Sequence, residues 1–152
     1  RYTLMKISAK GRYGLAAMVF LARIGQANSP TTILTISENL GISKIYLEQV
    51  FSLLKHARLV TSSKGSQGGY QLARTPQEIT AWDVLSAIEL PLTEKAGLAT
   101  GDAQEALEQA LTNCVYDPLD AAIRKALQGV NLCAILEEAD RQKSEENIMY
   151  FI

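Results

Sequence analysis

Six polar side chains recur along one short stretch of the sequence, and their chemistry is complementary to double-stranded DNA. They are Lys44, Tyr46, Glu48, Gln49, Ser52 and Lys55. Lysine, serine and tyrosine commonly bond phosphate oxygens, whereas glutamate can accept from cytosine N4 and glutamine can bond adenine with two hydrogen bonds. Because the set combines chemistry for the DNA backbone with chemistry for base edges, this stretch is a candidate DNA-contacting surface.

The same stretch carries apolar residues at helical spacing. Positions i, i+3, i+4 and i+7 are filled by Leu47, Val50, Phe51 and Leu54. This pattern predicts a helix over Lys44–His56 with one side packed on a core, which leaves the polar residues on the other side.

A second, shorter helix is predicted over Ile33–Leu40, immediately before the first. Gly41 follows it, where a helix end favours a residue that tolerates positive φ. Ser43 is placed to cap the next helix with its hydroxyl group. Two helices joined by a tight glycine turn, the second with a polar outer face, predict a helix-turn-helix.

Two short strand-like runs, residues 59–64 and 70–73, flank a glycine-rich segment that has the backbone freedom of a hairpin turn. The order helix, turn, helix, hairpin is that of a winged helix, whose wing contacts a phosphate backbone or the minor groove. The segment lacks the G-K-[ST] ending of a nucleotide-binding loop, which disfavours nucleotide binding. The wing residues expected at the DNA are Lys64, Gly65 and Gln67.

On periodicity alone, a small helical domain whose polar face meets only water explains these patterns equally well. Longer motifs favour DNA binding. The chain resembles the Rrf-two family of bacterial winged-helix transcription regulators in M-K-I-S-A-K-G-R-Y-G-L (residues 5–15), I-S-K-I-Y-L-E-Q-V (42–50), G-S-Q-G-G-Y-Q-L-A-R (65–74) and I-T-A-W-D-V (79–84). The resemblance is strong over residues 5–89 and weak beyond them.

The resemblance implies a recognition helix that enters the major groove. It places four residues there: Ser43, Tyr46, Glu48 and Gln49. Many family members carry arginine before the first wing glycine, where this chain has Lys64. Lysine keeps the charge but lacks the planar guanidinium, which puts minor-groove insertion at this position in doubt.

The charge distribution separates two halves of the chain. Residues 1–75 carry ten Lys or Arg and two Asp or Glu, a net charge of +8, whereas residues 76–152 carry five and fourteen, a net charge of −9. A basic half suits a polyanion such as DNA. Lys10 and Arg12, near the start of a helix predicted over residues 10–26, are further candidates for phosphate contact.

Length and composition indicate one folded domain with an extension. The chain has 152 residues, of which 47% are hydrophobic, and no apolar run is long enough to span a bilayer. A signal-peptide pattern is missing from the start of the sequence, so we expect a cytoplasmic protein without a membrane partner.

A DNA-binding domain is expected over residues 5–89, a linker over 90–101 and a C-terminal region over 102–152. In that region the apolar residues keep a helical phase across Pro118. This favours one long helix kinked at Asp117-Pro118, with two abutting helices as the alternative.

A short closing helix over residues 131–141 and a polar link over residues 143–147 are expected to follow. The apolar stripe of a long helix outside a domain core needs a partner, and a second copy of the chain is the simplest one. The family dimerises in this way. The expected dimerisation residues are Leu107, Leu111, Cys114, Leu119, Ile123 and Leu127.

Cys114 and Cys133 are the only cysteines, and eighteen residues separate them, which is no metal-ligand spacing. Iron–sulfur members of the family carry three cysteines after the DNA-binding domain, and this chain has none between Leu90 and Asn113. It therefore resembles the cluster-free, CymR-like branch, and we expect no metal and no cofactor. Cys114 is expected to be a buried, inert thiol, with a redox switch as the alternative.

These features predict a mainly α protein that consists of a winged helix-turn-helix domain with a small β wing and a long C-terminal dimerisation helix. Catalytic residues are missing, so an enzyme is not expected. The predicted function is that of a homodimeric repressor on a palindromic operator. By family analogy alone, the genes concern cysteine or sulfur metabolism, and a cysteine-biosynthetic enzyme acts as co-regulator. The alternatives are a winged-helix module that docks a partner protein, or a redox regulator that acts through Cys114.

Overall fold

The computed structural model describes residues 7–25, 29–66, 68–89 and 104–150. Within them the chain is mainly helical, with one two-stranded antiparallel sheet. The elements are α1 (Ala9–Ile24), α2 (Ile33–Leu40), α3 (Lys44–His56), β1 (Val60–Ser63), β2 (Gly69–Leu72), α4 (Ala81–Ile88), α5 (Glu105–Leu111), a π-helical segment (Thr112–Tyr116), α6 (Asp117–Gln128) and α7 (Leu132–Tyr150). The mainly α class and the winged-helix order of elements are confirmed.

The core lies where α1, α3 and α4 meet. Met18, Phe51 and Val84 are fully buried there. α1 approaches α4 closely because it has glycines on that side: a Cβ at Gly14 would lie 2.1 Å from Ile88 Cδ1. This close packing fixes α1 as the central support of the domain.

The helix-turn-helix follows the expected boundaries. Thr32 caps the start of α2, where its hydroxyl accepts from the Thr35 N–H at 3.1 Å, and Gly41 follows the end of the helix with a φ of 67°. Ser37 Oγ then donates to the Ile42 carbonyl at 2.6 Å, which fixes the turn. The expected side-chain cap at Ser43 is wrong, because its hydroxyl makes no capping hydrogen bond and only its carbonyl accepts from Leu47.

The wing is a short hairpin that is also attached to the segment before α2. β1 pairs with β2 in a register that runs from Val60 opposite Leu72 to Ser63 opposite Gly69. Thr31 adds a bridge to Tyr70, with hydrogen bonds of 2.8 Å and 2.7 Å in the two directions. The wing is therefore held on both sides, by its own turn and by the chain that leads into α2.

The helix expected to continue across Pro118 does so. Four residues around this junction have right-handed helical dihedrals: Leu111, Thr112, Tyr116 and Asp117. The irregularity comes one turn before the proline, in the π-helical segment, where the Asp117 N–H donates to the Thr112 carbonyl five residues earlier. The wider turn accommodates a residue that has no N–H and whose ring would clash with the preceding turn.

The last helix is longer than expected. The closing helix predicted to stop at residue 141 continues to Tyr150, so the polar link over residues 143–147 is wrong. Arg141 bonds Glu138 one turn before it and Glu145 one turn after it, and its hydrogen bonds, with one from Gln142, lower the pKa of Glu138 to about 2. Such pairs, together with the high helix propensity of lysine and glutamate, extend the helix.

The C-terminal region is joined to the N-terminal domain by backbone and side-chain contacts. Leu132 is fully buried, and its N–H donates to the Ile79 carbonyl at 3.0 Å. Arg23 on α1 pairs with Asp140 on α7 at 2.8 Å. Arg124 on α6 lies over the ring of Trp82 on α4, 4.7 Å from its centroid. No helix in the described ranges is both long and apolar enough to cross a membrane.

We expect Arg58→Gly to stabilise the protein. Arg58 has a φ of 60° at the end of α3, where its N–H donates to Lys55 and the N–H of Leu59 donates to Leu54. This is the helix-ending geometry that favours glycine. Glycine removes the strain of the left-handed conformation but also makes the unfolded chain more flexible. The net effect should raise the free energy of unfolding, measured in urea, by about 0.5–1 kcal/mol. Arg58→Ala keeps the strain, so an equal gain in both variants would contradict this explanation.

Candidate nucleic-acid interface

α3 presents a mostly polar face to solvent. Its apolar residues Leu47, Val50, Phe51 and Leu54 are buried. On the opposite side the predicted contact residues are exposed: Lys44, Glu48, Gln49, Ser52 and Lys55, together with Ser43 just before the helix. The structure therefore brings most of the predicted contact residues onto one accessible helix face.

Tyr46 differs from the other predicted contact residues because it is half-buried. Its ring contacts the ring of Tyr13 on α1 in an edge-to-face arrangement, with centroids 5.2 Å apart and an interplanar angle of 87°. It also packs against the hydrophobic core. Tyr46 thus helps to orient α3 on α1, and its hydroxyl group is the part suited to a phosphate oxygen.

The wing lies beside α3 and is packed directly against it. The ring of Phe51 on α3 contacts the ring of Tyr70 on β2, with centroids 4.6 Å apart. An open groove between the two elements is lined by Thr32, Lys44, Lys64 and Gly68. Lys64 and Gly65 are exposed at the tip, and Gln67 lies outside the described residues.

The start of α1 contributes two further predicted cations. Arg12 is exposed and Lys10 is half-buried. The helix start is fixed by Ser8, whose Oγ accepts from the Gly11 N–H at 3.1 Å. Ser8 also donates to Glu89 Oε1, from its backbone N–H at 2.7 Å and from its hydroxyl at 2.5 Å. This contact anchors the basic end of α1 to the end of α4.

The basic side chains of this surface are not neutralised within the described part of the chain. The salt bridges found there involve Arg23 and Arg141, both paired with α7 residues, and none involves Arg12, Lys44, Lys55 or Lys64. Unpaired exposed cations create a positive potential that attracts a phosphate backbone.

Sequence reasoning missed Ile45, an exposed apolar residue in the middle of the polar face. The predicted contact residues are those with hydrogen-bonding side chains, and the side chain of Ile45 has no such group. A helical projection could have found it, since Ile45 lies opposite the buried stripe of α3.

The stripe of the long helix is accessible along the single chain. Leu107 and Leu119 are 47% and 53% exposed. Leu111, Ile123 and Leu127 are half-buried. Cys114 is exposed in the single chain, so the burial expected for its thiol depends on a partner that covers this stripe.

An iron–sulfur cluster held by four cysteines of one chain does not fit the residues present. The whole chain has two cysteines and one histidine, whereas iron–sulfur clusters are held mainly by four cysteine thiolates. Among the described residues, no group of three or more His, Cys, Asp or Glu is placed to hold a metal ion.

A polar recognition helix, a preceding helix and an attached hairpin define a winged helix-turn-helix protein. Comparison with known proteins gives the family. The family described as Rrf2, iron-dependent transcriptional regulator, matches residues 7–138. The chain belongs to the Rrf2 family of helix-turn-helix transcriptional regulators.

Named relatives support this assignment. The chain is 34% identical to the regulator IscR of Aliivibrio salmonicida over 142 residues, which cover 91% of this chain and 82% of that protein. It is 44% identical to the regulator CymR of Bacillus subtilis over 89 residues, which cover 59% of this chain and 64% of CymR.

Solved structures of such regulators have the same fold. The structure of B. subtilis CymR, the global cysteine regulator, matches with a TM-score of 0.69 and 31% identity over 89% of this chain and 98% of that one. The IscR structure from T. potens matches with a TM-score of 0.68 and 32% identity over 90% and 89%.

We expect Gly69→Ala to detach the wing from the segment before α2. Gly69 has a φ of 149°, and a Cβ there would lie 2.3 Å from the Thr31 carbonyl oxygen. Backbone strain and this clash should lower the free energy of unfolding by about 3 kcal/mol. Gly25→Ala is the control, because that glycine has open space around its Cβ position. Equal stability of the two variants in urea would show that the close approach at Gly69 is unimportant.

Proposed function

We propose that this regulator is a homodimeric repressor that binds a partly palindromic operator. α3 lies in the major groove of each half-site, and the wing follows the adjacent backbone. The observation that carries the proposal is that the polar face of α3 is exposed while the wing packs against the same helix through the rings of Tyr70 and Phe51.

Each predicted contact residue has a role that suits its chemistry. Glu48 accepts from cytosine N4 and Gln49 bonds adenine. The hydroxyl groups of Ser43, Tyr46 and Ser52 contact phosphates or fix the helix on them. Cations surround these positions and neutralise phosphates: Lys10, Arg12, Lys44, Lys55 and Lys64. Gly65 and Gln67 complete the wing contact.

Dimerisation is proposed through the stripe of α5, the π-helical segment and α6. Leu107 and Leu119 are about half exposed in the single chain, and covering such residues gains free energy from the removal of apolar surface from water. A twofold axis places the same stripe on both partners. It also sets the two recognition helices about one DNA turn apart, roughly 34 Å.

The relatives suggest which genes are regulated. CymR of B. subtilis, a global cysteine regulator, has a structure that matches over most of this chain, and the sequence identity to CymR reaches 44% over the part that aligns with it. We therefore propose genes of cysteine or sulfur metabolism as targets. The acidic helix α7, with Ile148, Met149 and Tyr150 exposed near its end, is the surface proposed for a cysteine-biosynthetic enzyme as co-regulator.

The same surface supports a second candidate, a winged-helix module that docks a protein instead of DNA. The exposure of Cys114 supports a third, a regulator released from DNA by thiol oxidation. Retention of a partner enzyme by a protein without DNA affinity would favour the second candidate. If oxidant releases DNA from Cys114→Ser as it does from the wild type, the third candidate, thiol-controlled release, is eliminated.

On the tightest duplex selected by the protein, Gln49→Ala should weaken binding by about 1–3 kcal/mol per half-site and relax preference at one base pair. Lys64→Ala should weaken binding on all duplexes and reduce the salt slope by about one per half-site. Gln128→Ala, an exposed glutamine on α6, is the matched control. The proposal fails if Gln49→Ala and Gln128→Ala bind with equal affinity and preference.

We expect Leu119→Glu to convert the dimer into monomers. A buried carboxylate in a symmetric stripe would be repeated on both partners, and desolvation of the two charges opposes association. Light scattering after size exclusion should give the mass of one chain for this variant. Ile24→Glu, a change at an exposed isoleucine of α1, should leave the dimer intact. A dimeric Leu119→Glu protein would place the interface elsewhere.

A further inference from the structure

Ile45, the second residue of α3, is the most exposed large hydrophobic residue in the described part of residues 7–89. Its exposed fraction is 70%, compared with 55% for Leu34 and 37% for Ile24. Single apolar residues on a protein surface are common and need no special explanation. The location of Ile45 on the helix is what indicates a role.

Ile45 points away from the core more directly than its polar neighbours. An α-helix turns by about 100° per residue, so the direction of Ile45 around the helix axis lies within about 10° of the point directly opposite the centre of the buried stripe. Glu48 and Gln49, one turn further along, flank this direction on its two sides and are exposed. Ile45 is therefore the central residue at the N-terminal end of the outward face.

This end of a recognition helix contacts base edges in the major groove. Isoleucine has no side-chain donor or acceptor, so it cannot recognise the oxygen and nitrogen atoms of those edges. The apolar group that the major groove displays is the C5-methyl group of thymine. Helix stability does not explain the residue either, because isoleucine is a weaker helix former than alanine, lysine or glutamine.

We propose that Ile45 is a specificity-determining residue that packs against the C5-methyl group of a thymine in each half-site. The inference rests on the proposed operator binding and adds a base preference to it. One turn of α3 rises about 5.4 Å, and successive base pairs are about 3.4 Å apart. The thymine therefore lies within two base pairs of the base pair that Gln49 contacts. The position of that base pair is identified by the preference that is lost in Gln49→Ala.

The test replaces thymine by deoxyuridine, which lacks only the C5-methyl group. The probe is the tightest duplex selected by the full chain, modified at one symmetric pair of thymines at a time. At one pair, the wild type should bind about 15-fold more weakly, which is about fourfold for each methyl contact. Ile45→Ala should bind the methylated and unmethylated duplexes equally. Ile45→Val, which keeps a branched apolar side chain, should restore much of the difference.

Ile24→Ala is the matched control and should keep the wild-type response to deoxyuridine. The thermal unfolding temperature of Ile45→Ala should be no lower than that of the wild type, because the residue is mostly exposed and alanine is the better helix former. A wild-type response in Ile45→Ala, or no response of the wild type at any thymine, would overturn the inference while operator binding stands. Failure of the wild type to select any duplex would overturn the proposed function and the inference together.

Discussion

Tyr70 connects the segment before α2, the helix α3 and the wing, which together form the proposed DNA-contacting surface. Its backbone exchanges two hydrogen bonds with Thr31, just before α2, and its ring packs on Phe51 of α3. Gly69 allows this approach, because any Cβ there would collide with the Thr31 carbonyl. The recognition helix and the wing are thereby fixed relative to each other in the free protein, and binding free energy need not be used to order them.

The C-terminal half is attached to this surface through α1 and α4. Leu132 of α7 pairs with Ile79 ahead of α4, and Arg23 of α1 pairs with Asp140 of α7. The acidic helix α7 therefore lies against the support of the DNA-binding domain while carrying the opposite charge. The stripe proposed for dimerisation belongs to the same half. In such a dimer, the distance between the two recognition helices depends on how rigidly these contacts hold each DNA-binding domain against the dimer interface.

The sequence predicted the helix-turn-helix well because local signals agree there. The apolar stripe of α3 and the left-handed Gly41 are both present in the structure. It predicted the C-terminal region less well. Side-chain pairs around Arg141 extend α7, and the π-helical segment accommodates the ring and the missing N–H of Pro118. Neither feature can be predicted from the periodicity of apolar residues. The expected cap at Ser43 failed because more than one arrangement satisfies a helix start, and Ile45 was passed over because only polar chemistry was sought.

The most direct test of operator recognition by α3 is selection of duplexes from a random pool by the purified protein. A homodimer with two recognition helices should enrich a single partly palindromic sequence whose half-site centres are about 34 Å apart, and should bind it far more tightly than random DNA. Its affinity should fall with salt by a slope of about −0.9 per phosphate contact. Enrichment of an asymmetric site would contradict the dimeric arrangement, and equal retention of all duplexes would contradict sequence-specific recognition by α3.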